Sequence, residues 1–229
     1  MKSSIFQKIY QDVYQLISDD KSGHGMDHID RVLGLAQSFA ELENADLEIV
    51  SLAALLHDVD DYKLFRQESA DKLINARTIL EKYNINSDTK SKIIEIIRTI
   101  GYNKYLEGIR PDTLEGKIVS DADMCDAIGS MGILRTHTYT LSKGNEFFDK
   151  TLSPEELVDV EAYKLDKKSH SVQHFFDKLL KIPSILMTEA GQNEGTKRQL
   201  IMIDFLRELF REENATEWLR YLDDFESYK

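Results

Sequence analysis

An all-α fold is predicted by three observations. Apolar residues recur at three- and four-residue spacing along most of the chain. Glycine and proline are scarce, 11 and 3 among 229 residues, unlike a loop-rich all-β chain. No run alternates polar and apolar residues for long, so half-buried strands are not expected. The length fits one domain, since roughly 150 residues is typical of one, and it can bury a core without staples. The expectation is a single helical domain over 1–229, with a central segment at about 20–135 and C-terminal helices at about 153–225.

Each element has its own warrant. Ile5, Ile9, Val13, Leu16 and Ile17 share one face of an amphipathic helix over 3–19. Residues 20–27 form a turn into a second helix, which carries Val32, Leu35, Ala36, Phe39 and Ala40 on one face. Asn44 or Asp46 caps a third helix, at about 46–58. Helices follow at about 68–83 and 88–100, the latter entered through Ser87 and stopped by Gly101. Residues 101–116, with Gly101, Gly108 and Pro111, read as a loop. From Lys117 to about Arg135 the pattern is helical, with Ser120 or Asp121 near the start; residues 136–152 carry the weakest helical pattern. Ser153-Pro154-Glu155-Glu156 is a capping box with proline at the first helical position. Residues 171–182 are helical until Pro183. The stretch Gly191–Gly195 breaks the chain before a long helix at about 197–213, and Trp218–Phe225 adds a terminal turn or two. Phe39, Phe175 and Met202 are expected in the core.

Composition excludes several function classes. Cys125 is the single cysteine, so an internal disulfide and a cysteine-based zinc cluster are both excluded. The 29 basic and 41 acidic residues give a net charge of −12, which disfavours nucleic acid or an anionic membrane as partner. No segment approaches the length of a membrane span, and the first residues lack the apolar core of a secretory signal. The expected compartment is the cytoplasm. An anionic substrate would need a metal ion or local cations to overcome the global field.

The third helix is anomalous. Ile49, Val50, Leu52, Ala53, Ala54, Leu55 and Leu56 leave it no polar face, so it belongs in the interior. It runs directly into His57-Asp58, followed by Asp60 and Asp61. Carboxylates at the end of a buried helix are costly without a partner. A metal ion satisfies a neutral imidazole and a carboxylate together. The dipeptide alone is weak, because an acid-rich chain yields such a pair by chance and a solvated helix end explains it as well. His24 and His28 lie four apart and can share a helix face, although Gly23 and Gly25 place His24 more naturally in the loop. In Ser120-Asp121-Ala122-Asp123-Met124-Cys125-Asp126, helix capping explains Asp121 well. It explains Asp123 and Asp126 less well, because apolar residues surround them.

The order of these stretches is more specific than any one of them. Gly23-His24-Gly25-Met26-Asp27-His28-Ile29-Asp30-Arg31-Val32, then Leu52-Ala53-Ala54-Leu55-Leu56-His57-Asp58, then Asp121-Ala122-Asp123-Met124-Cys125-Asp126-Ala127-Ile128-Gly129 resembles the HD-domain superfamily of metal-dependent phosphohydrolases. More narrowly it resembles small bacterial members, some of them manganese-dependent nucleoside triphosphate pyrophosphohydrolases. His174-Phe175-Phe176-Asp177-Lys178-Leu179-Leu180 is similar to a later signature of that subgroup, so the resemblance spans roughly 20 to 210.

The resemblance implies His28, His57, Asp58 and Asp123 as metal ligands, with His28 preferred to His24 because it stands four residues before Val32. It implies one divalent ion, manganese above Mg, Co, Ni, Fe or Zn, although nitrogen and oxygen donors alone do not separate these metals. Asp61, four residues after His57, is the implied catalytic acid–base. Asp60-Asp61-Tyr62-Lys63 resembles the subgroup's sequence there, whereas Gly25-Met26-Asp27 replaces its usual large aromatic residues. His24, Lys63 and Lys178 are the substrate-phosphate candidates; Arg31, Arg66, Arg135 and Arg198 are others that the sequence does not rank. His137, His170 and His174 make no second ligand set. The implied reaction is hydrolysis of a small nucleotide through a metal-bound water, from nucleoside triphosphate to monophosphate and pyrophosphate. Three other readings stay open: a nucleoside monophosphate phosphatase, a regulatory metal- or nucleotide-binding domain without turnover, and a purely structural helical protein.

Overall fold

The computed structural model describes residues 3–18, 25–61, 65, 67–154 and 171–227. Among them are twelve α-helices, one 3-10 helix and no strand, so the chain is all-α. In chain order the helices are α1 (Ser3–Ile17), α2 (Met26–Glu43), α3 (Leu47–Leu56), α4 (Gln67–Lys72), α5 (Ile74–Lys82), α6 (Ser87–Thr99), α7 (Tyr102–Leu106), α8 (Leu114–Asp126) and α9 (Gly129–Lys143). Then come α10 (Ser171–Asp177), the 3-10 helix (Leu179–Ile185), α11 (Glu189–Glu212) and α12 (Thr216–Ser227). No described helix is long and apolar enough to cross a membrane.

The chain gathers into two compact units, Met1–Asp126 with Met187–Gly191, and Ala127–Leu186 with Gln192–Lys229. In the first, α3 packs against α1, α2, α6 and α8. Every residue of α3 from Ile49 to Leu56 is buried, as its lack of a polar face requires. Fully burying side chains such as Leu52, Leu55 and Leu56 is worth about 1.5–3 kcal/mol each. In the second unit, Phe176 packs against Phe210, Trp218, Tyr221 and Phe225, and the Trp218 indole donates to the Leu152 carbonyl at 2.9 Å. Phe39, Phe175 and Met202 are buried as expected.

Several boundaries differ from those read in the sequence. Asp46, not Asn44, caps α3, its carboxylate accepting from the amides of Glu48 and Ile49; Asn44 ends α2 in the left-handed conformation. The helix expected over 68–83 is split at Leu73, which has φ of 52°. The break frees the first amides of α5, and the buried Asp60 carboxylate accepts from Asn75 and Ala76 there, both at 2.9 Å. Residues 101–116 contain α7 and the start of α8, and α8 and α9 are two helices separated at Ala127-Ile128. The helical pattern of 136–152 continues only to Lys143. The glycines at 191 and 195 lie inside α11 and break nothing. They are close-approach positions: a Cβ on Gly191 would lie 2.5 Å from Oδ2 of Asp121, and one on Gly195 would meet Leu186. Glu155 and Glu156 of the expected capping box lie outside the described residues.

Candidate metal centre

Three elements of the first unit supply the site. The helix α2 opens at Met26, which puts His28 in its first turn, beside the buried Met26, Ile29 and Val32. The apolar α3 is buried to its last residue, so His57 and Asp58 emerge at its end among core side chains. The helix α8 buries Val119, Ala122 and Cys125 while Asp123 keeps some exposure.

The four side chains converge. Nε2 of His28 lies 3.2 Å from Nε2 of His57, 3.4 Å from Oδ2 of Asp58 and 3.5 Å from Oδ1 of Asp123. Nε2 of His57 lies 3.6 Å from Oδ1 of Asp58 and 3.8 Å from Oδ1 of Asp123. Donor atoms of His28, His57 and Asp58 all fall within 4.8 Å of one another. Both imidazoles are buried, whereas the Asp58 and Asp123 side chains are 14% and 24% exposed, which leaves an open side toward solvent.

The far nitrogens explain the orientation. Nδ1 of His57 donates to the Ala54 carbonyl at 2.8 Å, and Nδ1 of His28 stands 2.7 Å from Oδ2 of Asp126. With both Nδ1 atoms protonated, both Nε2 lone pairs face each other and two carboxylates. A proton or a metal ion at that point relieves the arrangement, and the two carboxylates favour either. Two ligands about 2.1 Å from an ion stand roughly 3.0 Å apart at right angles and 3.4 Å apart in a tetrahedron. The observed separations lie at or slightly above these edges. The donor set therefore fits a divalent first-row ion, and its nitrogen and oxygen donors leave the element open.

The protonation tendencies agree. Burial pushes His28 down, but hydrogen bonds to Asp123, Asp126 and Asp58 outweigh it and raise the imidazole to about 11. Asp126 is fully buried, which raises a carboxyl. His28 and Arg31 overcome that and hold it well below the usual carboxylate range. Burial likewise raises Asp123, and His28 and His57 reverse the sign. The cluster attracts positive charge strongly enough to hold a proton where an ion would sit.

The other sequence candidates fare differently. The Asp61 amide donates to the Asp58 carbonyl at 3.1 Å, so Asp61 stands on a tight turn directly after the ligand pair. Asp60 is not at the centre but caps α5. Asp121 does cap a helix, though not its own: it accepts from the Met187 and Thr188 amides at the start of α11. His24 and Lys63 lie outside the described residues. Lys178 belongs to the second unit, between α10 and the 3-10 helix, where burial and its charge push His174 down to about 3. Sequence reasoning assigned no role to Asp126 and named Arg31 only among unranked phosphate candidates. Their spacing was the available signal: each lies three residues, one helical turn, after a proposed ligand.

Comparisons with known proteins place the chain among HD-domain relatives. The family model of the HD domain matches residues 25–128. YpgQ of Bacillus subtilis is 30% identical over 204 residues, covering 86% of this chain and 88% of that protein. A crystal structure of a Bacillus thuringiensis HD-superfamily hydrolase is 31% identical, with a TM-score of 0.74, over 94% of this chain and 100% of that one. A crystal structure of YpgQ in complex with ADP aligns at TM-score 0.69 and 27% identity, over 91% of this chain and 95% of that one.

Proposed function

Because the chain belongs to the HD-domain family of metal-dependent hydrolases, we propose that it hydrolyses a nucleoside triphosphate, preferably deoxy, to the monophosphate and pyrophosphate. The observation that carries this reading is the convergence of His28, His57 and Asp58 on one point, with Asp123 at 3.5 and 3.8 Å from the two imidazoles and an open side toward solvent. Those four residues hold the ion, which we take to be manganese; when bound, it polarises a phosphoryl oxygen and lowers the pKa of water.

The chain's own residues supply the rest. Asp61, on the turn after Asp58, takes a proton from the attacking water. The water oxygen bonds to the α-phosphorus, and the bond to the bridging oxygen breaks with its electron pair leaving on pyrophosphate. His24, Lys63 and Lys178 are the cations assigned to the distal phosphates, where charge builds on the leaving group. That YpgQ has been crystallised with ADP supports a nucleotide ligand for this chain. A cytoplasmic nucleotide pool is the substrate source in this reading.

Chromatography of products from a nucleotide panel, assayed with Mn, Mg, Co and Ni, tests it. Monophosphate with pyrophosphate is expected. Nucleoside with free phosphate identifies a monophosphatase, and diphosphate identifies a γ-phosphatase. Absence of turnover with every metal leaves a regulatory domain.

A further inference from the structure

Two imidazoles point at the centre, and they are held by different kinds of acceptor. His57 leans on a neutral backbone carbonyl, that of Ala54. His28 leans on Asp126, a carboxylate with no exposed surface. A buried carboxylate is expensive unless paired. Its partner is Arg31, whose Nε donates to Oδ1 at 2.6 Å and whose second terminal nitrogen donates to Oδ2 at 3.0 Å. This is the planar two-point grip that arginine makes on a carboxylate and lysine does not. Arg31 and His28 share one face of α2, a turn apart, and Asp126 ends α8. One carboxylate therefore locks two helices and a ligand together.

We infer that Asp126, gripped by Arg31, is the positioning residue of the metal centre, and that Arg31 serves that grip rather than a substrate phosphate. Asp126 fixes the proton of His28 on Nδ1 and so turns the Nε2 lone pair toward the ion. Its charge makes His28 a stronger donor than His57. Arg31 fixes the carboxylate plane and offsets its charge, which keeps Asp126 aimed at Nδ1 instead of being drawn to the ion. The inference rests on the metal-centre reading. Partners one step behind the ligands in other metal sites are worth about 10–100-fold in metal affinity or activity.

The test is Mn²⁺ affinity of the whole chain, measured by calorimetry on wild type, His28→Ala, Asp126→Asn and Arg31→Gln, with ADP affinity measured alongside. Asp126→Asn keeps the shape, but an amide aimed at His28 must turn its NH2 group toward Arg31, donor against donor. Its expected loss is about 10–100-fold in Mn²⁺ affinity. Arg31→Gln should weaken Mn²⁺ in the same direction. A metal-site loss in Arg31→Gln alone suffices should Asp126→Asn not fold, because Arg31 reaches solvent. In the zinc-loaded protein, long-range ¹H–¹⁵N spectra should show the His28 proton on Nδ1 in wild type and a mixed or altered state in the variants. Wild-type Mn²⁺ affinity in both variants, with His28→Ala unable to bind, overturns the positioning role while leaving the metal centre standing. Unchanged Mn²⁺ affinity with weakened ADP binding in Arg31→Gln assigns that residue to phosphate and overturns the inference. Failure of wild type to bind Mn²⁺ removes the metal centre itself.

Discussion

Nε2 of His28 and Nε2 of His57 face each other at 3.2 Å, with each ring's other nitrogen bound to an acceptor. Two lone pairs held this close are unfavourable unless something positive lies between them. The backbone supplies the constraint: α2 brings one ring, the end of α3 the other, and both helices are fixed by core packing remote from the rings.

In the proposed mechanism Asp61 is separate from ligation. Asp61→Ala should keep the ion and lose turnover by roughly 10²–10⁴-fold, the usual worth of general acid–base help. Metal content and the rate constant measured on the same preparation check this. Loss of the ion would make Asp61 a ligand, and an unchanged rate would remove it from the mechanism.

Lys178 is expected to contribute to binding of the distal phosphates. Lys178→Glu should raise KM for a triphosphate far more than for a monophosphate, with little change in kcat. Equal effects on both substrates would take Lys178 out of that role.

His174 predicts an acid sensitivity of the second unit. Its pKa is depressed to about 3 in the fold by burial and by the charge of Lys178, against an ordinary value of 6.5. The unfolded chain therefore binds the extra proton first. Stability from keeping His174 neutral is fully present above pH 6.5 and is lost as pH falls toward 3. The chain has one tryptophan, Trp218, which packs on Phe176 and reports this unit by fluorescence. Denaturant midpoints should fall between pH 6.5 and 4.5 in wild type, and His174→Gln should flatten that slope. An equally steep slope in the variant would contradict the assignment.

Gly191 marks the contact between α11 and Asp121. Alanine there would put a methyl 2.5 Å from the Asp121 carboxylate, which is itself fixed by the amides of Met187 and Thr188. Gly191→Ala should cost about 1–3 kcal/mol, the usual range for overpacking. Urea unfolding measures it, and wild-type stability would show that the helix start yields freely.

The candidate ligands were legible in the sequence because local pattern and chemistry conflict there. A helix with no polar face that ends in His57-Asp58 demands a partner, and Asp123 sits among apolar neighbours in α8. What stayed hidden depends on distant segments. Asp121 read as a cap for its own helix, but the amides it satisfies lie 66 and 67 residues away. Gly191 and Gly195 read as breakers, although α11 runs through them because a carboxylate and Leu186 occupy the space where side chains would go. After the split at Leu73, the amides that open α5 are capped by Asp60, 15 and 16 residues earlier in the chain. Asp126 carried a visible spacing signal, but its role requires Arg31 and His28, 95 and 98 residues earlier in the chain, to be in place.

The account stands on the four-ligand centre, and metal stoichiometry tests it most directly. Wild-type protein dialysed against excess Mn²⁺ and assayed by elemental analysis should retain about one ion per chain, and His57→Ala and Asp58→Ala should retain almost none while keeping their helical content. Full occupancy in Asp58→Ala, or an ion located crystallographically away from His28, His57, Asp58 and Asp123, would contradict it.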